Sequence, residues 1–384
     1  MAVFQTYQAS AGNREDLIPI ISMISPHDTP VTSAIASKKA TGITHDWLSD
    51  SLGTPALNAQ IEGSDAAFGT ITPRVRTSNY IQNIRKTGQI SDNQEAVLKA
   101  GVTSEYSYQL EKETKNTALD TERAFIQGTR TQGAAATASQ MGGLFYYLTT
   151  NLTAGSAGLA GAAVAQAGAG DSTMAANATI TLAVGDVAAN GVVAGSQIYL
   201  SGGTGTGQYR TVLGVAGDVV TVGTVAAGAQ VTGLNWDVTP DATTTYITYA
   251  VPAALTETVL NDSFEACFNQ GGSPTSVHAP TKQKRAISGF ASSIRRLSAN
   301  EQSLSNSIDI YESDFGRHAV KTNRWMPAGS LAVLDTKEIA AAYLRPVKAE
   351  ELARTGASRK FMIESAVTLE VRAENASALI LGLA

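Results

Sequence analysis

One long amphipathic segment, residues 103–128, constrains the fold more than any other part of the chain. Small or apolar side chains recur there every three or four residues, which places them on one face of an α-helix. They are Tyr106, Leu110, Thr114, Thr117, Ala118, Thr121 and Phe125. The other faces carry Glu111, Lys112, Glu113, Lys115, Asp120 and Glu122. Ser104 is a good N-cap and Gly128 can end the helix. At about 1.5 Å per residue the helix is roughly 35 to 40 Å long, so we expect it to be a spine that carries sheets.

Composition limits the classes of protein to consider. The 384 residues suffice for two or three domains. Cys267 is the only cysteine, which excludes an intrachain disulfide and a cysteine-based zinc site. Charged residues make up 16% of the chain, against roughly 25% in an ordinary soluble domain, so either partners cover much of the surface or the composition is simply alanine-rich. The net charge of −5 argues against a protein that grips nucleic acid along its length. No apolar run is long enough to span a membrane, and the N-terminus lacks the pattern of an export signal.

The N-terminal quarter reads as an arm followed by a long hairpin. Residues 16–25 are apolar but are interrupted by Pro19, and a turn follows at Asp28. Residues 44–50 and 71–90 are rich in strand formers. A two-stranded hairpin of this length is unstable alone in water, so we expect it to lie on a neighbouring molecule.

Residues 151–250 differ from the rest in composition. They hold 17 of the 35 glycines, five acids and one base. Strand patterns separated by turn residues recur at 178–183, 196–201, 208–213, 218–223 and 244–250. We predict an inserted all-β barrel or sandwich domain that folds separately. The GGTGTGQ run at 202–208 resembles a nucleotide-binding loop, but a strand follows it where a helix would be needed, which favours a hairpin turn.

Helices and strands alternate again after residue 250, so the fold class is α+β. A helix is predicted over 256–270, with Val259, Leu260, Phe264, Cys267 and Phe268 on its buried face. A strand at 276–280, a helix at 281–296 and a strand at 330–335 follow. Asp335 reads as the N-cap of a further helix, and strands complete the chain.

No catalytic constellation or metal-ligand spacing is present, so we predict a protein that is not an enzyme and has no cofactor. The carboxylate pair Glu350 and Glu351 fits a charged, solvated helical face. Asp186, Asp218 and Asp241 lie at predicted turns without calcium-ligand spacing.

One charge pattern suggests a binding surface. Residues 266–300 contain no acid, and their basic residues are Lys282, Lys284, Arg285, Arg295 and Arg296. These side chains could contact phosphate, or the acids of a neighbouring subunit such as Glu62 and Asp65, or only solvent. We favour the last two interpretations over the nucleic-acid one.

The order of these elements resembles that of the major capsid proteins of tailed bacteriophages, a fold shared with the herpesvirus capsid floor and with encapsulins. The resemblance covers the chain except for the insertion. It is carried by DTPVTSAI (28–35), THDWLSDSL (44–52), TERAFIQGT (121–129), MGGLFYYL (141–148) and the ending at 340–383 with its E-x-x-x-T-L-E-V pattern.

This resemblance implies a domain organisation. Residues 1–43 would be an N-terminal arm and 44–92 an extended loop. Residues 93–130 would form a peripheral domain that the C-terminal strands, 331–384, complete. Residues 131–330 would form the axial domain that carries the insertion at 151–250.

The resemblance also implies a function. The protein would form hexamers and pentamers of an icosahedral shell around double-stranded DNA, assembled in the host cytoplasm and retained in the virion. Portal, scaffolding and decoration proteins would be its partners, the DNA would be contacted non-specifically, and no membrane would be involved. The candidate assembly residues are Trp47, Asp50, Glu62, Asp65, Arg74 and Arg76 of the hairpin, with the five basic residues above. No crosslinking lysine–asparagine pair is evident.

Two other functions remain open at this level. An encapsulin-like compartment would share the fold but enclose a protein cargo. An adhesin would bind carbohydrate through residues 151–250, which would leave the spine helix and the hairpin unexplained.

Overall fold

A computed structural model describes most of the chain. The described residues are 28–53, 55, 57–60, 62, 65, 69, 71–97, 101–154, 165–169, 179–182, 186–226, 229–233, 236–238, 240–241, 243–249, 252–290 and 309–384. The predicted arm segment 16–25 and the basic residues Arg295 and Arg296 lie outside the described residues.

The described chain contains both helices and strands throughout, as an α+β protein should. The helices are α1 (Asp92–Ala96), α2 (Glu105–Gln127), α3 (Leu144–Tyr147), α4 (Asp186–Ala189), α5 (Glu257–Asn269) and α6 (Thr281–Phe290), with a 3-10 turn at Glu374–Ala376. The strands of the first half are β1 (Ala36–Lys39), β2 (Thr44–Ser49), β3 (Val75–Tyr80), β4 (Gln82–Ser91), β5 (Leu152–Ala154), β6 (Ala165–Ala169), β7 (Thr179–Thr181) and β8 (Gln197–Gly202). Those of the second half are β9 (Tyr209–Thr211), β10 (Gly214–Ala216), β11 (Val219–Thr221), β12 (Gly223–Ala226), β13 (Ala229–Gly233), β14 (Thr245–Tyr249), β15 (Ser276–Ala279), β16 (Ile310–Ser313), β17 (Gly316–Thr322), β18 (Leu331–Leu334), β19 (Ile339–Leu352), β20 (Ser358–Val371) and β21 (Ala378–Leu381).

The strands form several small sheets. The strand orders are β16-β17-β15-β18-β21-β5, β1-β19-β20-β4, β6-β14-β8-β9, β10-β11-β7, β12-β13 and β2-β3. The chain divides into two compact units. Among the described residues, the smaller unit holds 85–97, 101–118 and 347–364, and the larger unit holds the rest.

The six-stranded sheet organises the larger unit because each of its faces covers a different core. On β18, Leu331 and Val333 face the cluster formed with α5 and α6. Ala332 and Leu334 alternate with them and face the cluster that contains Phe125, at the end of α2. The period-2 alternation of a strand therefore separates two helical layers.

The smaller unit is held together around Phe361 and Tyr106. Their rings meet edge to face with centroids 5.5 Å apart, and the guanidinium of Arg359 lies 4.1 Å above the Tyr106 ring. The Glu95 carboxylate accepts a hydrogen bond from the backbone N–H of Glu105 at 3.0 Å, which satisfies one free donor at the start of α2.

Several sequence predictions are confirmed. The spine helix spans Glu105–Gln127, and Ser104 Oγ caps it by accepting from Ser107 N–H at 3.3 Å. Helix α5 begins after Thr256, whose hydroxyl accepts from Val259 N–H at 3.3 Å. Each of the five strand patterns predicted in 178–250 contains a strand. The 203–207 segment is a turn in which Gly203, Gly205 and Gly207 have positive φ angles.

Cys267 is buried, as predicted, and burial raises the pKa of its thiol to about 12. Phe268, predicted on the same buried face, is instead 57% exposed. The centroid of its ring lies 5.4 Å from that of Phe315, which is itself only partly buried. The prediction for Phe268 was wrong because the buried stripe of α5 is narrower than its run of apolar residues.

Glu122 was predicted on the exposed face of the spine helix but is fully buried. The end of α2 is covered on several sides, and the carboxylate is satisfied by four hydrogen bonds. The sequence pattern gave no sign of these partners, since they lie far away along the chain.

The helix predicted after Asp335 is also wrong, because the residues form strand β19. Ala340, Ala341 and Ala342 are buried in the sheet and pair in parallel with β1, so tertiary pairing overrides the helix propensity of alanine. Glu350 and Glu351 consequently lie on a strand and not on a helical face. Asp335 instead accepts hydrogen bonds from the N–H groups of Ser273 and Lys337, both at 3.1 Å.

Candidate assembly surface

The predicted hairpin is formed by β2 and β3, which pair antiparallel from Thr44 opposite Tyr80 to Ser49 opposite Val75. Its second strand is shorter than the predicted 71–90, because β4 lies beside β20 in another sheet. Its charged residues pair across the two strands. Arg76 contacts Asp46, and Arg74 Nε lies 3.6 Å from Asp50 Oδ2. The side chains of Arg74 and Asp50 are mostly exposed, so this pair contributes at most about 1 kcal/mol to stability.

Trp47 anchors the base of the hairpin. Its side chain is buried, and its ring centroid lies 5.6 Å from that of Tyr147 and 6.1 Å from that of His45. The neighbouring Leu48 is 60% exposed. One face of β2 therefore packs against the rest of the chain and the other is exposed to solvent.

Asn79 fixes the second strand of the hairpin and was not singled out by the sequence. It is fully buried, and its Nδ2 donates to the carbonyls of Leu369 (2.7 Å) and Gly142 (3.1 Å). Its Oδ1 accepts from the N–H of Gly142 at 2.8 Å. The sequence does not indicate this role, because an asparagine in a strand is usually a solvent-exposed residue.

Glu370, within the T-L-E-V pattern, ties three strands together beside the hairpin. Its carboxylate contacts Lys38 Nζ and His45 Nε2 at 2.9 Å each, and Arg372 Nε at 3.4 Å. Burial raises the pKa of Glu370, but the bonds from Lys38 and His45 outweigh it, so the net shift is downward. The carboxylate is thus held in its charged form.

Beyond the paired strands, the hairpin presents a long exposed loop. Every described residue from 50 to 74 is exposed, including Glu62 and Asp65. The apolar side chains there are exposed as well: Leu52 and Leu57 fully and Ile71 to 90%. Several large apolar side chains exposed in one segment are typical of a surface that another molecule covers.

The basic residues of α6 differ in burial. Lys282 and Arg285 are exposed on α6. Lys284 is buried, and its ammonium group donates to the Val320 carbonyl at 2.9 Å and to Asp309 at 3.3 Å. The structure thus gives Lys284 partners within its own subunit.

Neither a metal centre nor a membrane segment is found in the part of the chain that the structure describes. These residues contain no group of three or more His, Cys, Asp or Glu side chains placed to hold a metal ion. None of the described helices is long and apolar enough to cross a bilayer.

The spine helix, the sheets and the hairpin form a fold that is also found in solved capsid proteins. The fold is similar to that of the cyanophage A-1(L) capsid asymmetric unit, with a TM-score of 0.57 and 11% identity over 99% of both chains. It is also similar to the capsid of a native GTA particle, with a TM-score of 0.51 and 9% identity over 99% of this chain and 98% of that one.

The chain belongs to the SU10 major capsid protein family, whose profile matches residues 4–384. A segment is 35% identical over 109 residues to the major capsid protein of Escherichia phage Phieco32. That match covers 28% of this chain and 31% of the relative, so it spans less than a third of the curated protein. The protein is therefore a structural, non-enzymatic component of a phage capsid.

Proposed function

We propose that the protein assembles as hexamers and pentamers into an icosahedral shell that encloses double-stranded phage DNA. In this proposal residues 1–43 are the arm, 44–92 the extended loop, and 93–130 with 331–384 the peripheral domain. Residues 131–330 are the axial domain. Portal, scaffolding and decoration proteins are the expected partners, and contacts with DNA are non-specific.

One observation carries the proposal: the exposed apolar loop between β2 and β3. Leu52, Leu57 and Ile71 together remove little apolar surface from water within their own subunit. Burying each of them against a neighbour would contribute roughly 1.5–3 kcal/mol. Repeated in every subunit of a shell, these contacts favour assembly over the free subunit.

Residues 151–250 are proposed to form the all-β insertion in the axial domain, with the four-residue helix α4 as its one described helix. Strands from this segment enclose an apolar cluster of their own, which includes Ile180, Val212, Val220, Trp236 and Tyr246. The segment carries five acids and one base, which suits the outer surface of the shell, away from packaged DNA. A decoration protein would find it accessible there.

The test removes the apolar loop contacts without touching the fold. Leu52→Ser with Leu57→Ser, and separately deletion of residues 58–69, should give soluble subunits with unchanged circular dichroism that form no shells in electron micrographs. The matched control is Val193→Ser, which alters another exposed aliphatic side chain (56%) outside the hairpin and should assemble normally.

Shells that form normally from both hairpin variants would contradict the role of the loop, whereas a wild-type protein that forms no shell would contradict the proposed function. Particles isolated from infected cells decide the contents. Nuclease-protected double-stranded DNA is expected, whereas an enclosed protein without DNA would support the encapsulin-like alternative.

A further inference from the structure

Helices α5 and α6 carry opposite charge although both pack on the same face of the six-stranded sheet. The charged residues of α5 are Glu257, Asp262 and Glu265, all acidic, and those of α6 are Lys282, Lys284 and Arg285, all basic. Both helices contribute to one apolar cluster, α5 through Phe264 and α6 through Ile287. Their outward faces therefore lie on the same side of the sheet.

The two charged faces do not pair with each other in the described chain, and on the acidic face Glu257 Oε1 accepts a hydrogen bond from the Tyr311 hydroxyl at 3.1 Å. Glu257, Asp262, Glu265, Lys282 and Arg285 are exposed, and none of them forms a salt bridge with a described residue. The exception on α6 is Lys284, which is buried and paired with Asp309. Two complementary patches thus coexist on one chain without neutralising each other.

The acidic face also offers an apolar contact. Phe268 lies one turn after Glu265 on the exposed side of α5 and is 57% exposed. Ile310, on the edge strand β16, is 65% exposed. Charged residues around exposed aromatic and aliphatic side chains are the usual composition of a protein interface.

The two helices contact different parts of the sheet. Helix α5 contacts β21 and β5, while α6 contacts β15 and β17. A subunit with complementary but different patches can bind copies of itself head to tail, and such heterologous contacts close into rings when the rotation between copies allows it.

We propose that the exposed acids of α5 in one subunit pair with Lys282 and Arg285 on α6 of the next subunit around each capsomer. This inference rests on the proposed shell function and specifies the contact that closes its rings. The occupant of the basic face is a second copy of this chain, and not DNA.

The first test reverses one patch. Lys282→Glu with Arg285→Glu should reduce assembled capsomers by about tenfold or more, because like charges would face each other across the contact. The control Lys282→Arg with Arg285→Lys keeps both charges and should assemble like wild type. Circular dichroism shows whether the variants are folded, and the milder Lys282→Gln with Arg285→Gln replaces any that are not.

Mixing provides the sharper test. Asp262→Lys with Glu265→Lys gives subunits whose two patches are both basic, whereas the reversal on α6 gives subunits whose two patches are both acidic. Neither should assemble alone. When the two variants are mixed, every contact around a ring is complementary only if the two kinds of subunit alternate. Alternation requires an even number of subunits, so hexamers should form, whereas pentamers, and therefore closed shells, should not. A chain with all four reversals restores complementarity and should form both.

The outcomes separate this inference from the shell function. If wild type assembles and the α6 reversal also assembles, the contact is wrong while the shell function stands. If the α6 reversal lowers only the DNA content, α6 binds DNA and the inference is overturned. If wild type forms no shell at all, the shell function fails, and capsomers of the mixed variants in sedimentation still show whether the contact exists.

Salt dependence is an independent readout on the wild-type protein. Between about 0.1 M and 1 M NaCl the Debye length falls from roughly 10 Å to 3 Å, so capsomer formation should weaken. Assembly that is insensitive to salt over this range would contradict an electrostatic contact.

Discussion

Glu122 and Thr32, 90 residues apart, are joined twice through a single carboxylate oxygen. Both the backbone N–H of Thr32 (2.8 Å) and its hydroxyl (2.6 Å) donate to Glu122 Oε2. The other oxygen, Oε1, accepts from Val31 N–H at 2.8 Å and from Asn323 Nδ2 at 3.0 Å. The spine helix thereby holds the turn that leads into β1.

We therefore expect Glu122→Gln to destabilise the unassembled subunit by about 2–3 kcal/mol, because hydrogen bonds to charged groups are worth more than neutral ones and an amide would place a donor against donors. Urea unfolding measures the change. The control Glu111→Gln alters an exposed glutamate of the same helix and should be nearly neutral. Equal unfolding midpoints for the two variants would contradict the role of Glu122.

Asp237 should be the most sensitive charge in the 151–250 segment. It accepts from Arg210 at 3.0 Å and from Arg123 on the spine helix at 2.6 Å. Arg210 is buried, which lowers the pKa of its guanidinium, and Asp237 opposes that shift. Asp237→Asn removes the carboxylate that accepts from this buried cation, so we expect a loss of about 2 kcal/mol, discounted for the partial exposure of Asp237.

The matched variant for Asp237 is Arg123→Gln, which removes the half-exposed partner and should cost under about 1 kcal/mol. Thermal or urea unfolding of the free subunit compares the two. An Arg123 variant that is the more damaging would show that the buried arginine does not need Asp237.

The six-stranded sheet should make the subunit sensitive to mild acid. Burial lowers the pKa of His278 to about 3, and burial also lowers the pKa of His318, whose ring stacks on Phe264 at 3.9 Å. Between pH 6.5 and 3 the unfolded chain binds protons at His278 that the folded chain does not. The contribution of neutral His278 to stability is therefore complete above about pH 6.5 and is lost as the pH decreases, by about 1.4 kcal/mol per pH unit, and His318 acts in the same direction.

In His278→Leu, the slope of the free energy of unfolding against pH should be smaller by the amount that one proton contributes, about 1.4 kcal/mol per pH unit. Unfolding in urea between pH 5 and 6.5 measures it, a range above the one in which Glu370, with its lowered pKa, loses its contribution. An unchanged slope in the variant would mean that His278 is protonated in the folded subunit.

Tyr209 links the 151–250 segment to the rest of the larger unit. Its hydroxyl accepts from Gly382 N–H at 2.9 Å and donates to the Gly329 carbonyl at 3.0 Å. Tyr209→Phe should cost about 1–3 kcal/mol by leaving buried polar groups unpaired. Tyr343→Phe, at a partly buried tyrosine of β19, should cost less, and similar losses would argue against a specific link.

The position of Tyr209 is also relevant to the prediction that residues 171–250 fold alone, which is still to be tested. Tyr199, Tyr209 and Tyr249 face the main cluster that contains Phe125, not the apolar cluster within the segment. A fragment would expose all three rings to water. Circular dichroism of the fragment tests whether its own core is sufficient.

The sequence predicted correctly those elements that are determined by residues close together along the chain. The spine helix and α5 follow from 3.6-residue periodicity and from caps at Ser104 and Thr256. What failed depends on distant partners: the burial of Glu122 requires Thr32 and Asn323, and β19 forms because its alanines pair with β1. The same limit applies to the assembly surface, where Glu370 and Asn79 each form a hydrogen bond with a residue 290 or more positions away.

Strand β21 lies between β18 and β5 in the six-stranded sheet, although it comes last among the described strands. Until residues 378–381 have left the ribosome, the inner edges of β18 and β5 remain unpaired and the apolar clusters on both faces stay open. A nascent chain that lacks this strand cannot complete the six-stranded sheet. Translation of residues 378–381 is therefore the step after which both apolar clusters can close.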